Sequence, residues 1–413
     1  PEALAALSKS FPIYFIIVAT SIGVTVAGTS LIGNSIGEKN KENILNYFTH
    51  IIYFGVLISV VIITLIGLNF SDKIFSLMVT TKEVTELGLQ YTDIIFSGSI
   101  LFILVVALNS LLHAEGDTKT YRNVLILSFF INLILNPILI FGLLFFPALG
   151  VKGIAISTIF SQSLAFFIIL FKILKNPRIK EITNKFLIPK LFYFINIFFT
   201  SMPIVVSIFA YSITAAIVLA YIGQSGEYAV AGYGAGTRIE QVVLLPILGI
   251  NTAIISIISQ NFGAKNFDRV KETYFTSIKY SFLIMIVSGI FLYILSDLII
   301  SFFSSDPVVI EFGSKYLKIC AFILPAYPIF FLSNGLFMAI KKSENAMISN
   351  LFRNGFNPIM VFLFAKYINA SFETFFWLWA GVNWIFSGIY LSILILYLKL
   401  RLEKTSAIVN PQP

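Results

Sequence analysis

The chain has 413 residues, of which 58% are hydrophobic and 12% charged, with a formal net charge of +8. Soluble domains carry roughly 45–50% apolar and about 25% charged residues, so a water-soluble fold is excluded and the chain reads as an integral membrane protein. Its one cysteine, Cys320, rules out an internal disulfide, and its two histidines, His50 and His113, stand in no metal-ligand spacing.

A membrane span takes about 20 apolar residues. Eleven such segments occur, near 11–33, 46–70, 89–113, 122–146, 150–175, 191–222, 230–258, 273–296, 312–340, 346–368 and 374–400. The expected fold is therefore all-α, with short connections as in a helical bundle. Two features break the rhythm: the basic stretch 172–190, KILKNPRIKEITNKFLIPK, and a polar tail. They divide the chain into a first lobe, 1–171, a linker, 172–190, a second lobe, 191–400, and a tail, 401–413.

The two lobes repeat one another. Gly23, Gly37, Lys39 and Asn40 stand 226 residues before Gly249, Gly263, Lys265 and Asn266. Ser71, Asp72, Glu86, Gly88, Tyr91 and Asn109 precede Ser296, Asp297, Glu311, Gly313, Tyr316 and Asn334 by 225. Asn136-Pro137 precedes Asn357-Pro358 by 221. In this register Pro1 corresponds to about residue 227, and the span 191–222 has no partner in the first lobe. The expectation is two six-helix lobes whose first helix is missing from this chain. Lys and Arg concentrate in alternate loops and in the tail, which places those loops and the C-terminus in the cytoplasm of a plasma or bacterial inner membrane. Both copies then share one orientation, the parallel-repeat arrangement of transporters with a central cleft.

Polar groups inside spans are costly and point to function. Asn132 and Asn136 are four apart, so they share a helix face roughly 15–20 Å deep, and Asn109 lies on the preceding span. Amides at that depth bind a cation, hold a carboxylate, or simply bond helices together. Arg238 and Glu240, with Gln241 beside them, form a second group; two apart on a helix, the charges point in different directions and each needs water or another helix. Pro137, Pro203, Pro246 and Pro358 interrupt helices and are hinge candidates. No phosphate-cradling glycine loop and no nucleophile beside a base is present, so neither an enzyme nor a cofactor is expected. The basic residues sit in short loops, which argues against a nucleic-acid partner.

The run 231–266, AGYGAGTRIEQVVLLPILGINTAIISIISQNFGAKN, its echo in the first lobe, and NLILNPILIFG at 132–142 resemble the multidrug and toxic compound extrusion (MATE) family. The resemblance implies twelve helices in two lobes around a central cavity. It implies export of organic cations and other amphipathic compounds in exchange for Na⁺ or H⁺, by a monomer in contact with membrane lipids. Members place an acid on helix 1 near a helix 4 asparagine and a polar pair on helix 5. Asn109, Asn132 and Asn136 match the last three and become the coupling candidates. A subgroup carries a glutamate on helix 7 and an aspartate on helix 10, where this chain has Tyr211 and Tyr327. Those two tyrosines join Arg238, Glu240, Gln241 and Asn334 as cavity and substrate candidates. Arg238 resembles an arginine at the start of helix 8 in some bacterial exporters. Alternatives are a flippase of lipid-linked sugars from the same superfamily and a non-transporting receptor or assembly protein.

Overall fold

Each described apolar segment is helical, and no strand occurs among the described residues. The structure, a computed structural model, describes residues 2–60, 64, 67–77 and 81–399. The expected tail 401–413 and part of the segment 46–70 lie outside them. The first helices are α1 Glu2–Gly37, α2 Lys41–Leu57, α3 Gly67–Leu77, α4 Lys82–Ser97, α5 Ser99–Ala114, α6 Thr118–Phe141 and α7 Val151–Leu174. They are followed by α8 Leu191–Ile222, α9 Glu227–Gly263, α10 Phe267–Ser301, α11 Pro307–Ile323, α12 Tyr327–Ala339, α13 Ser343–Leu351, α14 Asn357–Tyr367 and α15 Phe372–Tyr397.

The repeated Gly-x-Lys-Asn motif turns the chain between helices. After Gly37 and Gly263, Lys39 (φ 53°) and Lys265 (φ 59°) adopt the left-handed conformation. Asn40 and Asn266 then cap α2 and α10 by accepting from the backbone N–H of Asn43 at 3.0 Å and Arg269 at 3.2 Å. An asparagine cap satisfies one of the orphan donors at a helix start. A second turn is shared at Gly116 (φ 87°) and its repeat partner Lys341 (φ 61°). The N–H of the next residue, Asp117 or Lys342, reaches back to Leu112 O or Phe337 O at 2.8 Å.

Among the described residues, nine helices are long and apolar enough to cross a membrane, or ten when α4 and α5, bent by 40°, count as one span. The expected segment 346–368 is helical from Ser343 to Tyr367 but changes its winding on the way. That segment is α13, a π turn at Phe352–Phe356, and α14. Pro358 stands at the start of α14 and has no N–H to bond the carbonyl four residues earlier. That carbonyl, Asn354 O, instead accepts the hydroxyl of Thr214 from α8. Pro137, Pro203 and Pro246 behave differently: α6, α8 and α9 continue through them.

The chain divides into two compact units, 1–205 and 206–413. The division falls inside α8, after the expected linker, for a visible reason. Tyr193 donates its hydroxyl proton to Asn43 Oδ1 at 2.9 Å, and Asn196 Nδ2 donates to the Tyr47 hydroxyl at 3.1 Å, fastening the start of α8 to α2. The linker is fastened to the first unit as well. Thr49 donates to Phe186 O at 3.0 Å, and the Lys190 N–H to His50 Nε2 at 2.8 Å. Within this unit α1 and α5 approach closely at Gly28, where a Cβ would stand 2.6 Å from that of Ser110.

Candidate functional site

Two polar clusters, one in each unit, interrupt the apolar packing. In the first unit Asn132 and Asn136 do share a face of α6: Asn136 Nδ2 donates to Asn132 Oδ1 at 2.8 Å. The ladder continues on α7, where Ser157 donates to Asn136 Oδ1 and Asn132 Nδ2 donates to Thr158 Oγ1 at 3.4 Å. Both asparagines are half-buried, so four oxygens line a strip between two helices that is neither dry nor open. Asn109, grouped with them from the sequence, bonds to a different partner. It is fully buried on α5 and donates from Nδ2 to His113 Nε2 at 3.0 Å.

The second unit holds the more strongly charged cluster. Glu240 on α9 accepts the hydroxyl of Tyr327 at 2.5 Å and that of Tyr316 on α11. Arg353, in the π turn, lays its guanidinium 4.1 Å from the ring centroid of Phe330 and 4.8 Å from that of Tyr327. Its Nε donates to Asn383 Oδ1 on α15 at 3.1 Å. Carboxylate and guanidinium line one cavity of about 80 Å³, walled by Tyr211, Tyr233, Phe376 and Trp379 among others. A water needs roughly 10–15 Å³ of such space, so the cavity holds several. It is well below the roughly 300–1,000 Å³ of a drug-sized cleft. Its dimensions suit a proton on hydrated groups or a small cation.

Of the residues singled out from the sequence, Glu240, Tyr211 and Tyr327 come together here. Arg238 and Gln241 do not: both are exposed and neither lines the cavity. Asn334 is buried apart from it and accepts the hydroxyl of Tyr390 at 2.8 Å. Sequence reasoning missed Arg353 and Tyr316. The arginine was within reach, because it stands seven residues inside the segment 346–368, and an intramembrane charge is a functional signal by itself. Tyr316 was visible as a repeat match but not as a partner of Glu240. The resemblance had left the second lobe without an acid at 211 and 327; the acid comes from α9 instead.

The MatE family model matches residues 1–138 and 203–363. A Shewanella oneidensis protein described as a FAD transporter is 29% identical over 323 residues, covering 78% of this chain and 71% of its own. A probable multidrug resistance protein of Bacillus subtilis, YoeA, is 29% identical over 321 residues, 77% of this chain and 69% of its own. Among solved structures, a crystal structure of MATE in the bent conformation matches with a TM-score of 0.91 at 23% identity, covering 98% of this chain and 90% of that one. At that identity the likeness shows the two-lobed fold.

Proposed function

The chain belongs to the MatE family of multidrug efflux transporters, and from that premise we propose that it is a secondary-active antiporter of the plasma or bacterial inner membrane. It exports organic cations or other amphipathic compounds in exchange for H⁺ or Na⁺ by alternating access. The lobes are 1–171 and 191–400, joined by the cytoplasmic linker 172–190, with the C-terminus cytoplasmic.

One observation carries this reading: Glu240, on a helix apolar enough to cross a membrane, shares with Arg353 a cavity that holds several waters. A charge at the centre of a span costs about 2.5–3.5 kcal/mol on insertion scales, and a purely structural helix pair has no need of two. Both carboxylate oxygens of Glu240 are held by tyrosine hydroxyls. A proton arriving on the carboxylate turns one acceptor into a donor, and a cation competes with the hydroxyls for the same oxygens. Either event reorganises α9 against α11 and α12, the conformational link that an antiporter requires. In the first unit, the Asn132–Asn136 ladder supplies a second place for the coupling ion.

The test uses proteoliposomes, ethidium as transported probe and an imposed pH or Na⁺ gradient. Wild-type protein is expected to move ethidium only with a gradient, and Glu240→Gln to lose the gradient dependence while still folding, at lower stability. Gradient-driven transport at the wild-type rate in Glu240→Gln overturns the role of this cavity. Absence of any probe-dependent ion flux in the wild type overturns the antiporter.

A second reading of the cargo is favoured by the similarity to the FAD transporter: export of a flavin nucleotide, an anionic amphipathic compound. Flavin fluorescence in the medium of expressing cells separates the two.

A further inference from the structure

We propose that His113 is a proton-binding site of the first unit, and that Asn109 is the amide that turns over to hold it in either protonation state. In the arrangement described above, the Asn109 NH₂ donates to His113 Nε2, so the imidazole is neutral with its proton on Nδ1. Asn109 Oδ1 is then buried with no hydrogen-bond partner, in a side chain that is 0% exposed. Asn46 and Asn251 also leave a buried Oδ1 without a partner, and each such acceptor calls for a cause. The carboxamide supplies one. A half turn about its last bond exchanges Oδ1 and Nδ2 with almost no change of shape. The oxygen then faces His113 Nε2, and the contact is made once that nitrogen carries a proton, as it does in the imidazolium ion. The contact between the two side chains is then kept in both states.

The repeat strengthens the assignment. In the second unit the partner of Asn109 is Asn334, whose oxygen is satisfied by Tyr390, and the partner of His113 is Met338. At the position corresponding to Tyr390 the first unit has Ile169, fully buried. The first unit thus lacks the permanent donor and carries a titratable one in its place.

Charged and titratable groups stand close to His113. Asp117, the cap of α6, acts on it electrostatically; its own carboxylate accepts from the Thr120 N–H at 3.0 Å and the Thr120 hydroxyl at 2.7 Å, and lies 3.7 Å from Lys172 Nζ on α7. Tyr121 of α6 packs edge-on against the imidazole at 5.5 Å. Glu115, just beyond α5, is held by Arg178 at 2.8 Å. Asp117 is part-exposed and sits in the turn that ends α5. The inference rests on the antiporter reading only for what the proton is used for; the site itself stands on the pair.

With two histidines in the chain, nitrogen-15 NMR of histidine-labelled protein in detergent reads the site directly. His50→Gln and His113→Gln assign the two imidazoles. His113 is expected to pass from the Nδ1–H tautomer to imidazolium between about pH 8 and 5, the range in which imidazoles titrate. Asn109→Leu removes the acceptor of a charge-assisted bond, the stronger of the two bonds the amide makes. Its midpoint is expected about one pH unit more acid, with the His50 signal unchanged as evidence of an intact fold; Asn109→Ala serves where the leucine variant does not fold. A single neutral tautomer throughout the range, or a midpoint indifferent to Asn109, overturns the proposal. Either result is independent of whether ethidium is transported.

Discussion

The Tyr390 hydroxyl donates to Asn334 Oδ1 at 2.8 Å, closing in the second unit the acceptor that Asn109 leaves open in the first. The two asparagines stand at matching positions of the repeat, so duplication preserved the amide and diverged in what satisfies it. A neighbouring pair shows the same drift. Tyr274 and Ser333 share a hydrogen bond of 2.7 Å, and their counterparts Phe48 and Leu108 are both buried in the apolar core. The second unit is the one in which these inter-helix bonds are permanent.

Tyr390→Phe therefore removes a fixed bond and leaves a buried carbonyl without a donor. Stranding such a group costs about 1–3 kcal/mol. Thermal unfolding in detergent should report a loss in that range, with Glu240-dependent transport retained. An unchanged melting temperature means that another donor reaches Asn334.

Gly28→Ala brings a methyl group to 2.6 Å from Ser110 Cβ, closer than real Cβ contacts allow. Overpacking of this kind costs about 1–3 kcal/mol. The second unit carries its glycine on the opposite helix: Gly335 corresponds to Ser110 and faces Asn251, while Ile254 corresponds to Gly28. Ser110→Gly is thus expected to restore at least half of what Gly28→Ala loses, imitating the other unit. Additive losses in the double variant show that the two positions do not share the contact.

Glu240 and Arg353 line one cavity, so removing one charge leaves the other buried without its compensation. Glu240→Gln and Arg353→Met should each destabilise the protein, and the double variant less than the sum. A coupling energy of about 0.5–3 kcal/mol is expected for groups in one network. A double-mutant cycle on melting temperature decides it, and strict additivity means that the tyrosines and Asn383 hold each charge separately.

Much of this molecule was legible in its sequence because membrane helices announce themselves. Hydropathy gave the segments, and the ordered matches at 225 and 226 residues gave the repeat. Asn132 and Asn136 could be paired because a spacing of four fixes a helix face. Asn109 could not be placed by the same logic: depth along a helix says nothing about azimuth, and the residue bonds to His113 on its own helix. The Glu240 cavity needed tertiary structure, since Tyr316, Tyr327 and Arg353 come from elements up to 113 positions away. The π turn within the segment 346–368 was invisible to hydropathy for a different reason. It depends on Pro358 freeing a carbonyl to which Thr214, on another helix, donates.

The linker was read from its composition as a connector, and the structure shows a fastened strap. His50 is neutral at Nε2, because that nitrogen accepts the Lys190 N–H, and Thr49 holds Phe186 O. The ring of His50 also packs at 4.9 Å from Tyr193 and 5.4 Å from Phe194. His50→Phe keeps the ring packing and removes the acceptor, and Thr49→Val keeps the branched shape and removes the donor. Each lost bond is worth about 1 kcal/mol, and about 1.4 kcal/mol is tenfold in a local opening equilibrium. Trypsin should therefore cut the double variant at Lys180 and Lys185 at least about tenfold faster than wild type, at an unchanged rate at Lys265 in the α9–α10 turn. Equal cutting at Lys180 in both proteins means that the ion pairs of Arg178 with Glu115 and of Glu181 with Lys41 hold the strap by themselves.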